Sequence, residues 1–134
     1  MGSYADDALF MSRNNIEYVE LISDDGKSKV MVIPAWQGRV MTTSAAGDEG
    51  DSYGWINYSF IKKRQIDLQF NPVGGEERFW LGPEGGVFSL YFRQGEKQIY
   101  KNWKVPPVLD IEAFKIQSQS KNCICLTKEG CLTN

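Results

Sequence analysis

Alternating apolar and polar residues predict a chain built largely from short β-strands. In residues 65–71, Ile66, Leu68 and Phe70 fall on one face of a strand and their polar neighbours fall on the other. Residues 87–93 show the same two-residue period. Further strands are predicted at 16–23, 29–33, 38–44, 108–116, 122–127 and from Cys131 onward, and short helices at 4–11 and 56–64. The pattern predicts an all-β fold, mainly antiparallel, with one or two short helices.

The residues Asp24, Asp25 and Gly26 separate the first two predicted strands. An Asp-Gly pair favours the positive φ angles of a tight turn, so strands 16–23 and 29–33 are expected to pair. These residues therefore predict an antiparallel hairpin near the N-terminus.

Length and charge limit the classes of function. A chain of 134 residues fits one domain, so we treat 1–134 as a single domain. The net charge is −2 with acidic and basic residues interspersed, which leaves no basic surface for nucleic acid. No apolar stretch is long enough to span a bilayer, and Asp6 and Asp7 stand where an export signal would be basic. We expect neither a nucleic-acid partner nor a membrane, and the compartment stays open.

Side chains that commonly hold metals or drive nucleophilic catalysis are scarce. The sequence has three cysteines, Cys123, Cys125 and Cys131, and an odd number cannot form a closed set of intrachain disulfides. It has no histidine, which removes the imidazole that would complete a zinc site and any Ser–His or Cys–His pair. We therefore expect no metal, no cofactor and no catalytic residue in this chain.

The segment 71–86 is the strongest candidate for a ligand site. It holds five glycines and two prolines between two predicted strands, so its backbone geometry is closely specified. An aromatic ring beside planar polar groups suits a sugar, which presents C–H faces and hydroxyl edges together. The candidate carbohydrate-binding residues are Arg39, Asn71, Glu76, Arg78, Trp80 and Glu84.

Simpler structural roles compete with this interpretation. A glycine-rich turn with aromatic residues also forms where a strand corner packs tightly, with Arg78 merely paired to a carboxylate. Arg39 would equally serve as a solvated strand residue. Glu76 and Glu77 are adjacent and would point to opposite faces of a strand, which excludes an acid–base pair between them. Whether the carboxylates of Glu76 and Glu84 lie close together in the fold stays open.

Three blocks of sequence resemble a known family. They are residues 33–44 (IPAWQGRVMTTS), 54–57 (GWIN) and 74–86 (GGEERFWLGPEGG). In this order they are similar to an uncharacterised bacterial family of the galactose mutarotase-like (aldose 1-epimerase-like) superfamily, with the resemblance covering 5–134. It implies a partial β-sandwich that corresponds to the N-terminal portion of a β-supersandwich more than twice this length.

The resemblance also bears on chemistry. Gly74 and Gly75 stand where aldose epimerases carry the last two residues of a His-Gly-Gly motif, and Val73 stands where the histidine would be. The acid and base of that superfamily lie farther along a longer chain. This chain alone is therefore expected to lack epimerase activity. Family members are commonly exported and associated with glycan use, which implies an exported or periplasmic location.

Two functions follow from these features. The first is the carbohydrate-binding portion of a mutarotase-like protein of unknown reaction, inactive by itself. The alternative is a non-catalytic structural or partner-binding β-sandwich that self-associates as a homodimer through uncovered sheet edges. Carbohydrate and a second copy of the chain are thus the two expected partners.

Overall fold

The structure, a computed structural model, describes residues 2–133. The helices in this range are α1 (Tyr4–Arg13), α2 (Tyr58–Lys62) and α3 (Pro107–Asp110), the 3₁₀ turns are Pro34–Trp36 and Tyr100–Asn102, and the strands are β1 (Val19–Ile22), β2 (Lys29–Ile33), β3 (Arg39–Ser44), β4 (Lys115–Gln119) and β5 (Ile124–Thr127). The strands form two antiparallel sheets, ordered β1-β2-β3 and β4-β5. Antiparallel β-structure with a few short helices is thereby confirmed. None of the helices within residues 2–133 combines the length and apolar content needed to cross a membrane.

Local hydrogen bonds fix the start of α1. The Oγ of Ser3 accepts from the amide of Asp6 at 3.2 Å, and Oδ2 of Asp6 accepts from the amide of Ser3 at 3.1 Å. This reciprocal capping satisfies amides that a helix start leaves unpaired. Tyr4 and Met11 of the helix are fully buried. The predicted helix at 4–11 is confirmed and extends to Arg13.

The hairpin predicted near the N-terminus is also confirmed. β1 and β2 pair across a turn containing Gly26, whose φ is 72°. β3 pairs with the other edge of β2, with a register shift between Met31 and Val32. The sheet buries its apolar side chains against α1 and α2. This first hydrophobic core contains Tyr4, Met11, Met31, Ile33, Met41, Ile56, Ile61 and Val73.

A second hydrophobic core is built from segments outside the named strands. Tyr91, Val105 and Leu109 are its buried members. Aromatic rings surround them: Tyr91 and Trp103 stack at a centroid distance of 5.8 Å, and Phe70 meets Trp103 edge to face at 5.5 Å. Packing of rings thus stabilises this region, where strand pairing is lacking among the described residues.

β4 and β5 form a separate two-stranded ribbon. Every residue of β4 is exposed. The amide of Ile22 donates to the carbonyl of Lys121 at 2.9 Å, and the amide of Phe114 donates to the carbonyl of Pro34 at 2.9 Å. The ribbon is therefore attached at its loop and at its start, while its strands lie largely in solvent.

The prediction of a strand at 65–71 is wrong. Ile66 and Leu68 are 67% and 77% exposed, and residues 65–71 join no strand within the described chain. Instead, Oδ1 of Asn71 accepts from the Asp67 amide at 2.9 Å, and Nδ2 of Asn71 donates to the Asp67 carbonyl at 2.7 Å. Local side-chain bonding of this kind occupies backbone groups that a ladder would need. The segment therefore forms a loop.

Residues 87–93 form turns, so the strand predicted there is also wrong. The amide of Ser89 donates to the carbonyl of Gly86 at 3.2 Å, and Oγ of Ser89 accepts from the amide of Tyr91 at 3.1 Å. Ser89 and Tyr91 are buried, whereas Phe88 is 76% exposed. Of the predicted apolar face, Phe88 points outward, whereas Leu90 and Phe92 are partly buried and pack against the second core beside Tyr91, so the two sides of a strand are not separated here.

The predicted strand at 108–116 begins as a helix. Pro107 occupies the first turn of α3, where a missing amide hydrogen is harmless and its fixed φ favours helix. Only Lys115 and Ile116 of the predicted segment belong to a strand. The strand predicted from Cys131 onward is absent from residues 131–133, and Asn134 lies outside the described residues. β5, within the predicted strand 122–127, pairs back with β4.

Candidate functional site

A buried carboxylate organises the predicted site. Asp110, the last residue of α3, has a side chain only 2% exposed. Its Oδ2 accepts from the backbone amide and from Nδ2 of Asn71, each at 2.7 Å. Its Oδ1 lies 3.4 Å from Nη2 of Arg78. Asp110 therefore joins two residues that the sequence marked as candidates.

Arg39 begins β3 and is only 3% exposed, so the alternative of a solvated strand residue is wrong. Its Nη1 donates to the carbonyl of Gly74 at 2.7 Å. Its Nε has no hydrogen-bond partner among residues 2–133. Burial, followed by the nearby charge of Arg78, lowers the pKa of Arg39 to about 10, while Asp110 acts in the opposite direction. Arg39 is thus a buried cation whose Nε is not bonded within the described residues.

Arg78 connects the polar and aromatic parts of this cluster. Its Nη2 donates to the carbonyl of Leu109 at 2.6 Å, and its guanidinium carbon lies 4.1 Å from the ring centroid of Trp80. The ring of Phe70 lies at 5.8 Å. Burial lowers the pKa of Arg78, and the attraction of Asp110 opposes that shift. The guanidinium is therefore held by a carbonyl, a carboxylate and two rings.

Trp80 and Glu84 contact each other directly. The indole Nε1 donates to Oε1 of Glu84 at 2.6 Å. The indole also stacks on Tyr91 at a centroid distance of 5.0 Å, and the Tyr91 hydroxyl donates to the Leu81 carbonyl at 2.5 Å. Arg78, Tyr91 and Glu84 thus engage the indole together, and Trp80 packs against the second core.

Glu76 is held by a different part of the fold. Its carboxylate accepts from the amide of Thr43 at 2.9 Å and from the hydroxyl of Thr43 at 3.0 Å. Glu76 is bonded to Thr43 and Glu84 to Trp80, so these two carboxylates share no partner within residues 2–133. Contacts and nearby charge link five of the six predicted residues, and Glu76 lies outside them. The five are Arg39, Asn71, Arg78, Trp80 and Glu84.

Two glycines allow the chain to approach Arg39. Gly74 and Gly75 have φ angles of 96° and 113°, which other residues rarely adopt. A Cβ on Gly74 would lie 2.2 Å from the carbonyl oxygen of Trp55, and one on Gly75 would lie 2.9 Å from Cδ of Arg39. Glycine is therefore required at both positions, and the pair places the carbonyl that Arg39 binds.

A cleft of about 350 Å³ opens beside this cluster. Arg39, Asn71 and Asp110 supply polar lining, and Trp36 and Phe60 supply aromatic lining. Arg39 and Asn71 were predicted from the sequence, whereas the other three were missed. Trp36 lies in the first resemblance block, which was the available signal for it. Asp110 carried no signal, because its bond to Asn71 spans 39 positions of the chain.

A second cavity, of about 920 Å³, lies between the second core and residues 130–133. None of the six predicted residues lines it. Its charged lining residues are all exposed: Arg93, Glu96, Lys101, Lys104 and Glu112. The smaller cleft is the better candidate, because it combines buried charge with aromatic rings.

Comparison with known proteins gives the chain a family. No curated protein and no solved structure matches it. The profile described as "Family of unknown function (DUF6786)" matches residues 2–134, nearly the whole sequence. The chain therefore belongs to this family of unknown function, DUF6786.

Proposed function

We propose that this chain is the carbohydrate-binding portion of a mutarotase-like protein and that the sugar binds in the cleft beside Arg39. The proposal includes a partial β-sandwich similar to the N-terminal part of the mutarotase-like supersandwich. The observation that carries it is Nε of Arg39, which is buried without a partner among residues 2–133 in a side chain that lines the cleft. A buried cation with an unpaired donor is unfavourable, so a ligand oxygen bonded to the part of the Arg39 guanidinium that lines the cleft would stabilise the site.

The lining of the cleft suits a monosaccharide. Arg39 offers a donor, while Asn71 and Asp110, which bond to each other, form the polar wall beside it. The ring of Trp36 offers a flat apolar face for sugar C–H groups. Small-molecule sites have volumes of roughly 300–1,000 Å³, a range that includes this cleft. Sugar recognition is thus within the chemistry of these side chains.

The other predicted residues have indirect roles in this proposal. Arg78 pairs with Asp110, Trp80 packs on Arg78, and Glu84 accepts from Trp80. These successive contacts hold the wall of the cleft in place. Glu76 does not line the cleft.

Indole NMR signals offer a direct test, since the chain has four tryptophans. We expect a panel of monosaccharides and short oligosaccharides to shift the Trp36 indole signal in a saturable way. Trp36→Ala should abolish binding, whereas Trp55→Ala, which removes a 64% exposed ring outside the cleft lining, should leave it unchanged. The proposal would be contradicted if no sugar in the panel shifted the Trp36 indole signal, or if saturable shifts were confined to the Trp80 signal.

Binding is expected without turnover. Ring opening of an aldose needs an acid and a base, and this chain has no histidine for the roles that the superfamily gives to that residue. Polarimetry of freshly dissolved glucose and galactose should therefore follow the uncatalysed rate. Acceleration that rises with protein concentration would overturn this part of the proposal.

Self-association is the second candidate function. The ribbon of β4 and β5 has an exposed strand, and the apolar side chains of Leu68, Phe88 and Tyr100 are 77%, 76% and 71% exposed. Light scattering after size exclusion should then give a dimer mass that Ile116→Lys, within β4, shifts to the monomer. Leu9→Lys, at an exposed position of α1, is the matched control. A monomer mass at every concentration would rule this function out.

A further inference from the structure

The charges around the cleft do not balance. Two arginines, Arg39 and Arg64, line it, and Asp110 is the only carboxylate among its lining residues. Both oxygens of Asp110 are already engaged, one by Asn71 and the other by Arg78. Neither Arg39 nor Arg64 forms an ion pair within residues 2–133. Asp110, which also pairs with Arg78, therefore offsets only part of the positive charge of the arginines that line the cleft.

Burial makes this excess charge significant. Arg39 is 97% buried, since 3% of its surface is exposed, and its Nε is unpartnered within the described range. Because Arg39 shares its nearby carboxylate Asp110 with Arg78, its buried charge is only partly compensated, and an anion bonded to it relieves the remaining cost. Arg64 is exposed and lines the same cleft, so a ligand could meet one arginine in the interior and one toward solvent. The arrangement favours a ligand that has an anionic end.

We propose that the cleft prefers sugars that carry a carboxylate, the hexuronates, over their neutral counterparts. This inference rests on the proposed carbohydrate-binding function. The carboxylate accepts hydrogen bonds from Arg39, whose planar guanidinium matches the geometry of a carboxylate. The rest of the sugar ring lies against Trp36 and the polar side chain of Asn71.

A carboxylate fits better than a phosphate. The lining contains no lysine, and Asp110 contributes a negative charge of its own beside Arg39. A carboxylate brings one negative charge, whereas a phosphate monoester brings close to two at neutral pH. Asp110 would repel the second negative charge of a phosphate. Among the lining residues, the exposed Arg64 would offset that repulsion only in part. A sugar phosphate is therefore expected to bind more weakly than a hexuronate.

Matched pairs of ligands test the inference on the full chain. Galacturonate should bind at least about tenfold more tightly than galactose, and glucuronate than glucose, by calorimetry and by the shift of the Trp36 indole signal. Equal or tighter binding of the neutral sugars would overturn the inference and leave the proposed function standing. Binding of neither class would overturn both. Tighter binding of glucose 6-phosphate, or acetate binding as tight as galacturonate, would also overturn it.

Arginine variants test which side chains give the cleft its preference for hexuronates over neutral sugars. Arg64→Gln, at an exposed position, should lower the ratio of galacturonate to galactose affinity about threefold or more. Arg39→Lys should lower it further, because an ammonium group cannot present the paired donors of a guanidinium. Arg93→Gln removes an exposed arginine outside the cleft and should leave the ratio unchanged. If Arg39→Lys fails to fold, Arg64→Gln alone decides, and an unchanged ratio in that variant would overturn the inference.

Discussion

A single oxygen of Asp110 accepts two hydrogen bonds from Asn71, one from its backbone amide and one from its side chain, both at 2.7 Å. This pair ties the start of the glycine-rich segment to α3. Because Asp110 also faces Arg78 and lies near Arg39, the same carboxylate offsets the charge of two partly or fully buried arginines. The geometry of the cleft therefore depends on one buried acid.

Replacing that acid is expected to be strongly destabilising. Asp110→Asn removes the negative charge and leaves Arg39 and Arg78 without compensation, which should lower the free energy of unfolding by about 3 kcal/mol. Urea denaturation monitored by circular dichroism measures this. Glu112→Gln breaks a 2.5 Å ion pair with Lys128 whose carboxylate is 46% exposed, and should cost less than about 1 kcal/mol. Equal losses for the two variants would contradict the role of Asp110.

Gly54 permits close packing against β3. A Cβ at this position would lie 1.9 Å from the carbonyl oxygen of Met41 and 2.8 Å from Cβ of Thr42. Gly54→Ala must move backbone and should destabilise the fold by about 3 kcal/mol or more. Gly26→Ala is the comparison, because a Cβ there meets nothing within 4 Å and only its φ of 72° is unfavourable. It should cost about 1 kcal/mol, and a larger loss than for Gly54→Ala would refute the packing argument.

The parts of the fold that local chemistry determines could be predicted from the sequence. The hairpin across Gly26 follows from an Asp-Gly turn between apolar runs, and β2 has the predicted bounds Lys29–Ile33. The segment 65–71 has an equally regular pattern and forms no strand. Its backbone is instead bonded to Asn71, and Asn71 is fixed by Asp110 far along the chain. The alternation of apolar and polar residues in 65–71 cannot reveal that Asn71 takes up backbone groups of this segment, because Asn71 is held by a residue far along the chain.

The candidate site shows the same difference between local features, which the sequence reveals, and contacts between distant residues, which it does not. Gly74 and Gly75 were recognisable because a glycine pair is visible in the sequence, and Arg39 lies in the first resemblance block, 33–44. Asp110 was missed because it lies in a segment whose apolar residues resemble a strand, whereas the preceding prolines begin α3. A carboxylate at the end of a short helix becomes a site residue only when the fold brings Arg78 and Asn71 to it.

The bond between Trp80 and Glu84 should be measurable by itself. The indole Nε1 donates to Glu84 at 2.6 Å, and Glu84 is exposed. Glu84→Ala should destabilise by about 1 kcal/mol, and this loss should largely disappear in a Trp80→Phe background, where the donor is missing. Glu77→Ala, at an exposed neighbouring position, should change the free energy of unfolding by less than about 0.5 kcal/mol in either background. Additive losses for Glu84 and Trp80 would show that the bond contributes nothing to stability.

Ionisation of the Tyr58 hydroxyl should lower the free energy of unfolding in alkaline solution. Its hydroxyl donates to the carboxylate of the buried Asp7, and burial, followed by that hydrogen bond, raises the pKa of Tyr58 from 10.0 to about 12. Because the folded state favours the neutral phenol, its contribution is fully present below about pH 10 and is lost as the pH rises toward about 12. Burial also raises the pKa of Tyr4, which acts in the same direction. Arg39 acts in the opposite direction, since its lowered pKa makes its burial less unfavourable as the pH rises.

A phenylalanine variant separates these effects. Tyr58→Phe removes one titrating group and leaves Tyr4 and Arg39 in place, so its unfolding free energy should fall less than that of the natural chain between about pH 10 and about pH 12. The ultraviolet absorbance of tyrosinate should show one late-ionising residue fewer in this variant before unfolding begins. Tyr53→Phe, at a position 58% exposed, is the matched control and should keep the pH dependence of the natural chain. If Tyr58→Phe and Tyr53→Phe lose stability in parallel over this interval, the Tyr58 hydroxyl has no raised pKa and its bond to Asp7 does not stabilise the fold.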